Sequence, residues 1–368
     1  MSIKILYITN GINGAAGLER VLSIKTNYLI ENFGYEIHFI TLNQGDSELF
    51  YEFNKKIQHH DITAAGSPLN YIISYIKGLN NIVKKIKPDI ISVCDDGLKG
   101  FYVPLIIQKP CPMVYERHVS KNIEITKDKT SLKAKIFTWV TYKLMHFGAR
   151  FYDKFVVLTS GNLKEWSLNN LMVINNPLSF DENVPKSTLN RKIVLAVGRH
   201  DYQKGYDRLL EIWERISKKY PDWQLHIYGK KNTELGLEAM ADNLNISNTV
   251  SFFDPVKNIS AIYQKASIYL MSSRFEGFGM VLTEAMIHGV PAISFNCPYG
   301  PSDIIDNGYN GILVANGNID SFAESLELLI VKNTLRKEMG SRAIHKALTF
   351  HPDKIIEEWD NLFKSLKN

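Results

Sequence analysis

Residues 272–291 read Ser272-Ser273-Arg274-Phe275-Glu276-Gly277-Phe278-Gly279-Met280-Val281-Leu282-Thr283-Glu284-Ala285-Met286-Ile287-His288-Gly289-Val290-Pro291. An apolar, β-rich run ends just before it at Met271, a glycine-rich turn carries Glu276, and a helical pattern starts near Gly279. Glu284 falls about two helical turns after Glu276, on the side facing back toward the turn. A helix N-terminus offers unpaired N–H groups to an anion, and the spaced carboxylates suit hydroxyl groups. The stretch therefore has the makings of a place where a sugar and a phosphate are held.

Outward from it the same rhythm repeats. In the first half, Ile3–Thr9, Glu36–Leu42, Ile90–Cys94, Met113–Tyr115 and Phe155–Leu158 are expected as strands, the clearest being continuous runs of the kind buried in parallel sheets. Leu18–Phe33, Leu69–Ile86, Leu98–Gln108, Leu132–Phe147 and Gly161–Leu168 carry helical patterns between them. Pro88 and Pro112 each precede a strand, where a helix cannot continue. The rhythm pauses near Met172–Pro177, and the polar segment Asn175–Asn190, with two prolines, has the character of a linker.

The alternation restarts at Lys192. Strands are expected at Ile193–Val197, Gln224–Tyr228, Val250–Phe252, Ile268–Met271, Ala292–Ser294 and Ile312–Val314. Helices are expected at Tyr206–Lys218, Glu234–Asn243, Ile259–Gln264 and Met280–His288, and helical patterns run from Ile319 to the end. The class is α/β, two Rossmann-like doubly wound halves with right-handed crossovers. Ligands in such sheets bind beyond the carboxyl ends of the strands, so two facing halves would make a cleft. The expected division is 1–173, 174–350 and a last helix over 351–368.

Size and composition agree. At 368 residues the chain is too long for one ordinary core, and 45% apolar with 22% charged residues is usual for a globular protein. No charge-free apolar run reaches about 18 residues, so no bilayer-spanning helix is expected. Ile3–Ile8 enters a Gly/Asn loop too soon for a signal-peptide core. Cys94, Cys111 and Cys297 are odd in number and form no C-x-x-C pair, which fits reduced thiols in a cytoplasmic setting and neither a disulfide frame nor a zinc site. The net charge of +5 sits in the first half: residues 1–173 carry 21 Lys+Arg against 15 Asp+Glu, whereas 174–368 carry 22 against 23. Residues 121–154 hold eight basic and three acidic groups. That patch is too modest for nucleic acid and suits an anionic surface such as a cytoplasmic leaflet.

Two loops elsewhere carry chemistry. The first βα turn, Asn10 to Arg20, reads N-G-I-N-G-A-A-G-L-E-R, with Gly11, Gly14 and Gly17 allowing close backbone approach to a ligand. A dinucleotide site would need G-x-G-x-x-G and an acid at the end of the second strand; the spacing here is G-x-x-G-x-x-G and that strand ends Leu42-Asn43. A plain tight turn is the alternative. After the strand at Ile193–Val197 comes V-G-R-H-D-Y-Q-K-G-Y-D, in which Arg199 and Lys204 leave a strand end as two fixed cations able to balance a diphosphate. Alone, this is also compatible with a solvated charged loop. Glu276 alone could be a helix cap and Glu284 a surface residue; together, opposite two cations, they make a stronger case.

V-G-R-x4-K-G followed by S-x-x-E-G-F-G-x4-E-A-M-x-x-G-x-P resembles the retaining glycosyltransferases of family 4, which have the two-Rossmann GT-B fold. Gly14–Arg20 resembles that family's Gly-Gly-x-Glu-Arg turn, with Ala16 in place of one glycine. Cys297–Ile305 resembles members that add galactose-type or N-acetylhexosamine units to surface polysaccharide precursors, with Asp303 where Glu is more usual. The resemblance implies that Arg199 and Lys204 bind the donor diphosphate, Glu276 the sugar hydroxyls and Glu284 the ribose diol. It implies that the amides of Phe278, Gly279, Met280 and Val281 cap the phosphate, with Gly14 and Gly17 approaching from the first half. His118, in V-Y-E-R-H, would be a polar contact at the reacting centre; a structural loop histidine is the alternative.

The implied activity is transfer of a hexose or N-acetylhexosamine from a nucleotide sugar, UDP-linked by expectation, to a lipid-linked or oligosaccharide acceptor. No cofactor and no divalent metal is expected, since two cations and a helix N-terminus cover the phosphate charge. The last helix would return to the first domain. In Leu132–Phe151, Ile136, Phe137, Val140, Leu144, Phe147 and Phe151 recur at helical spacing among basic and aromatic residues. This is either a core-facing helix or one that also rests on a membrane. Rival functions are another GT-B enzyme (an epimerase or a phosphorylase), an NAD oxidoreductase, and a non-catalytic sugar- or membrane-binding module.

Overall fold

The computed structural model describes residues 2–121 and 131–367. It divides into two compact units, one of residues 2–121, 131–177 and 352–367, the other Leu178–His351.

The first unit is a seven-stranded parallel sheet: β1 (Lys4–Ile8), β2 (Glu36–Leu42), β3 (Gln58–Ile62), β4 (Ile90–Val93), β5 (Met113–Arg117), β6 (Lys154–Val157) and β7 (Leu171–Val173). Its order is β3-β2-β1-β4-β5-β6-β7. Helices α1 (Gly17–Phe33), α2 (Pro68–Ile86), α3 (Leu98–Phe101), α4 (Val103–Ile106) and α5 (Leu132–Ala149) join the strands. The expected helix over Leu98–Gln108 is broken at Tyr102, whose backbone leaves helical geometry just before the Val103-Pro104 start of α4. Gly161–Glu165 is a single short 3-10 turn rather than the longer helix expected there.

The second unit repeats the design with six parallel strands: β8 (Ile193–Val197), β9 (Gln224–Tyr228), β10 (Val250–Phe253), β11 (Ile268–Met271), β12 (Ala292–Asn296) and β13 (Gly311–Ala315). The order is β10-β9-β8-β11-β12-β13. Between and after them run α6 (Tyr206–Ser217), α7 (Leu237–Asn243), α8 (Ser260–Tyr263), α9 (Met280–Ile287), α10 (Pro301–Ile304), α11 (Ile319–Val331) and α12 (Asn333–Ala347). Val194, Leu225, Leu270 and Ile293 on the strands are fully or almost fully buried against Leu209, Trp213 and Phe322 of the helices. That burial is why these strands are continuous apolar runs.

The last helix, α13 (Pro352–Lys367), belongs to the first unit and packs on α1. Its Ile355, Ile356, Trp359, Leu362 and Phe363 are buried. Tyr28 and Tyr35 donate their hydroxyls to Asp353 (2.6 Å) and Asp360 (2.8 Å).

In both sheets the chain starts in the middle, and the strand order reverses between the first strand and the fourth. The reversals lie between β1 and β4 and between β8 and β11. At such a switch point the loops after the two central strands diverge and leave a crevice for a ligand. The loops in question are Thr9–Ala16 and Cys94–Gly97 in the first unit, and Gly198–Gly205 and Ser272–Gly279 in the second.

Candidate functional site

In the second unit, the loops after β8 and β11 are tied together. Gly205 adopts the left-handed conformation (φ 63°), and a Cβ there would come within 2.4 Å of the Ser272 carbonyl oxygen. Ser272 Oγ donates to the Lys204 carbonyl (2.9 Å), and the Arg274 amide donates to the Gln203 carbonyl (2.7 Å). The Arg274 guanidinium makes a fork on Asp207 (2.9 and 2.6 Å), donates to the Tyr202 carbonyl (2.8 Å) and lies over the Tyr202 ring. These ties fix where Lys204 and Glu276 emerge.

Lys204 Nζ lies 2.8 Å from Glu276 Oε1. Ser273 Oγ donates to the same oxygen (2.6 Å), and Gln203 Nε2 lies 3.5 Å from Oε2. The Lys204 and Glu276 side chains are only 16% and 7% exposed, so their attraction acts in a partly dried setting, where it is worth more than at an open surface. Arg199 is different: 61% of its side chain is exposed, and it pairs with Asp201 at 3.3 Å.

Gly279 is the N-cap of α9 in a left-handed conformation (φ 96°), with no side-chain cap on the helix. First-turn amides have no acceptor within their own helix, and Met280 and Val281 are the first two residues of α9. Phe278 is buried edge-on against Phe350. Glu284 is not the surface helix residue that was one alternative: it is buried, and the Tyr263 hydroxyl donates to its Oε2 (3.0 Å). Glu276 and Glu284 both lie within electrostatic reach of the buried Tyr269, whose hydroxyl is pushed well above its ordinary pKa, first by burial and in smaller part by these carboxylates.

In the first unit, Gly17 opens α1 behind Ala16, an N-cap with no capping side chain. A Cβ on Gly14 would come within 2.4 Å of Glu19 Oε1, so that carboxylate folds back over the turn. Gln44 Oε1 accepts from the Ile12 amide (2.6 Å) and holds the loop from the β2 side. Asp95, after β4, is already occupied by Asn10 (3.0 Å) and Lys99 (3.2 Å).

His118 follows β5, with Nε2 3.1 Å from Glu116 Oε2. Its side chain is 6% exposed, and Nδ1 has no hydrogen-bond partner among the described residues. The structure thus groups Lys204 with Glu276, and Phe278, Gly279, Met280 and Val281 at one helix start. His118, Gly14 and Gly17 belong to the other unit.

Several participants were not singled out from sequence. Ser273 had a signal as the first residue of the S-x-x-E run that ends at Glu276. Glu116, beside Arg117 at the end of a fully buried strand, and Lys25 on the buried side of α1 were signals too, because a charge at a core position demands a partner.

Residues 179–346 match the family model described as Glycosyl transferases group 1. The chain carries a group 1 glycosyltransferase domain. That domain fills the second unit, and relatives of the whole chain bear the same kind of name. An uncharacterized glycosyltransferase of Haemophilus influenzae is 29% identical over 98% of this chain and 99% of its own length. The Campylobacter jejuni enzyme named GalNAc-alpha-(1->4)-GalNAc-alpha-(1->3)-diNAcBac-PP-undecaprenol alpha-1,4-N-acetyl-D-galactosaminyltransferase is 26% identical over 100% of this chain and 99% of its own. Among solved structures, a variant of S. aureus TarM in complex with Fondaparinux, alpha-GlcNAc-glycerol and UDP superposes with a TM-score of 0.79, covering 98% and 99% of the two chains at 16% identity. At that identity the likeness is one of fold, and the fold of this glycosyltransferase is GT-B.

Proposed function

We propose that the group 1 glycosyltransferase is a retaining enzyme that moves a hexose or N-acetylhexosamine from a UDP-sugar to a hydroxyl of a lipid-linked or oligosaccharide acceptor in surface-polysaccharide synthesis. The observation that carries the reading is the Lys204–Glu276 pair beside the uncapped start of α9. When a diphosphate enters, Lys204 and the exposed Arg199 meet its charge together with the amides of Phe278, Gly279, Met280 and Val281. Glu276 then accepts from hydroxyls of the sugar, and Glu284 from the ribose diol. Preorganised donors of this kind stabilise a departing phosphate by about 2.7–4 kcal/mol each. They do so without a divalent ion. The UDP bound by the TarM variant and the undecaprenol-linked glycan in the name of the Campylobacter relative support the donor and acceptor classes.

Retention follows in this reading from front-face displacement. The bond from the anomeric carbon to the phosphate oxygen breaks as the acceptor oxygen bonds to the same face, and the departing phosphate takes the acceptor proton. His118, Gly14 and Gly17 are the first unit's candidates for ligand contact.

The same proposal includes an anionic membrane as a peripheral partner of the first unit. The core-facing reading of α5 fails for its apolar stripe: Ile136, Phe137, Trp139, Val140, Leu144 and Phe147 are all exposed, Phe137 by 68%. Lys133, Lys135 and Lys143 stand among them, and neither α5 nor α2, with its exposed Leu69, Ile72, Ile73 and Ile76, contains an acidic residue. Within the expected patch over 121–154, residues 122–130 lie outside the described residues. Lys121 is bound inward, donating to the Glu165 carbonyl with its ammonium 3.9 Å from the centre of the Trp166 ring. No described helix is long and apolar enough to cross a membrane.

A panel of nucleotide sugars, scored by thermal shift and then by turnover with a glycan acceptor, tests the reading. Stabilisation by UDP-sugars with transfer supports it. An epimerised sugar without transfer, or reduction of a nicotinamide cofactor, overturns it.

A further inference from the structure

The first unit contains a buried ion pair that the proposed transfer does not use directly. Lys25 on α1 is fully buried, and its ammonium donates to both oxygens of Glu116 on β5 (2.6 and 2.5 Å). Ser92 Oγ donates to Oε1 (2.6 Å) from β4. Trp359 of α13 covers the ammonium, 3.9 Å from its ring centre. Burial alone would raise the Glu116 pKa, but Lys25 and His118 outweigh it and hold the carboxyl at about 2. Glu116 is therefore a carboxylate that can only accept.

That dictates the neighbouring imidazole. With Nε2 3.1 Å from Glu116 Oε2, His118 must carry a proton on Nε2. Its other nitrogen, Nδ1, is buried without a protein partner among the described residues.

Cys94, Glu116 and His118 have ligand atoms within 4.8 Å of one another, a spacing a metal could use. The ammonium of Lys25 on both Glu116 oxygens opposes a cation there. So does the Cys94 thiol, which burial pushes well above its ordinary pKa and keeps protonated.

We propose that Lys25 and Glu116 are positioning residues that lock His118 in its Nε2–H tautomer, so that the Nδ1 lone pair is the acceptor the first unit offers to a ligand hydroxyl. This rests on the transferase reading for the identity of the ligand. A merely structural ion pair would stabilise the unit without deciding which imidazole nitrogen is protonated.

The test is 15N NMR of histidine-labelled full-length protein without ligand, with the His118 signals identified by their loss in His118→Gln. The wild type should show a protonated Nε2 and an unprotonated Nδ1. The paired variant Lys25→Met with Glu116→Gln removes both charges together and so strands neither. It should mix the tautomers and lower kcat by roughly 10–100-fold, taking as a guide the loss of a carboxylate that orients a metal-bound imidazole, with donor KM little changed. A wild-type His118 protonated on Nδ1 overturns the proposal, and so does a folded paired variant that turns over at the wild-type rate. If the paired variant does not fold, the wild-type spectrum decides alone. The spectrum needs no substrate, so a donor panel without turnover would count against the transferase reading and leave the tautomer result standing.

Discussion

The Lys204 ammonium lies 2.8 Å from Glu276 Oε1 although 72 residues separate them. Two loops leaving neighbouring central strands bring them together, and Ser273 and Gln203 hold the carboxylate from its other sides. The Lys204 and Glu276 charges thus neutralise one another at the mouths of the two loops.

Lys204→Ala should lower turnover by roughly 10²–10³, the scale for removing one charge-stabilising donor from a departing group. Initial rates at saturating donor and acceptor measure it. Near-normal turnover would remove Lys204 from the site.

The Arg274 fork on Asp207 gives a structural prediction. Arg274→Ala removes two charge-assisted bonds from a half-buried pair and releases the Tyr202 carbonyl. Unfolding stability should fall by about 1–3 kcal/mol, read from denaturant midpoints, and donor KM should rise as the Lys204 and Glu276 loops loosen. Unchanged stability and KM would mean the two loops are held by their backbone contacts alone.

Much of this was legible in sequence, for a physical reason. The strands Ile193–Val197 and Ile268–Met271 lie in the middle of a sheet covered on both faces, so each residue is apolar and the run has sharp ends. Gln58–Ile62 was missed because it is an edge strand, paired only with β2, and its Q-H-H-D-I is mostly exposed or half-buried. Leu171–Val173 is an edge strand of three residues with no room for a pattern. The loops carrying Arg199, Lys204 and Glu276 were visible as charge next to glycine at strand ends. What sequence could not supply was pairing: Lys25 and Glu116 are 91 residues apart, and only the sheet order joins them.

Acid should expose that pair. Glu116 has a folded-state pKa held near 2, below the ordinary value of 4.5, so its contribution to stability is fully present above about pH 4.5 and is lost as pH falls toward 2. The stability difference between wild type and the Lys25→Met/Glu116→Gln protein should therefore change across that window and be flat above it. Denaturant titrations at stepped pH measure it, and a difference that is flat from pH 2 to 6 would contradict the pairing.

Membrane contact has its own signature. Phe137→Glu with Trp139→Glu should abolish co-sedimentation with vesicles containing anionic lipid while leaving turnover of a soluble acceptor intact. Wild-type binding should weaken as salt rises, since lysines on α5 supply part of the attraction. Binding that ignores salt, or survives the double substitution, would assign the exposed stripe another role.

The central claim is that the Lys204–Glu276 site grips a UDP-sugar whose transfer keeps the anomeric configuration. The most direct measurement is NMR of the first product formed from an α-configured UDP-sugar and a glycan acceptor, followed from the earliest time points. An α-linked product, formed with stoichiometric UDP release and lost in Lys204→Ala, is the outcome predicted. A β-linked product, or an α-linked one made equally well by Lys204→Ala, would contradict it.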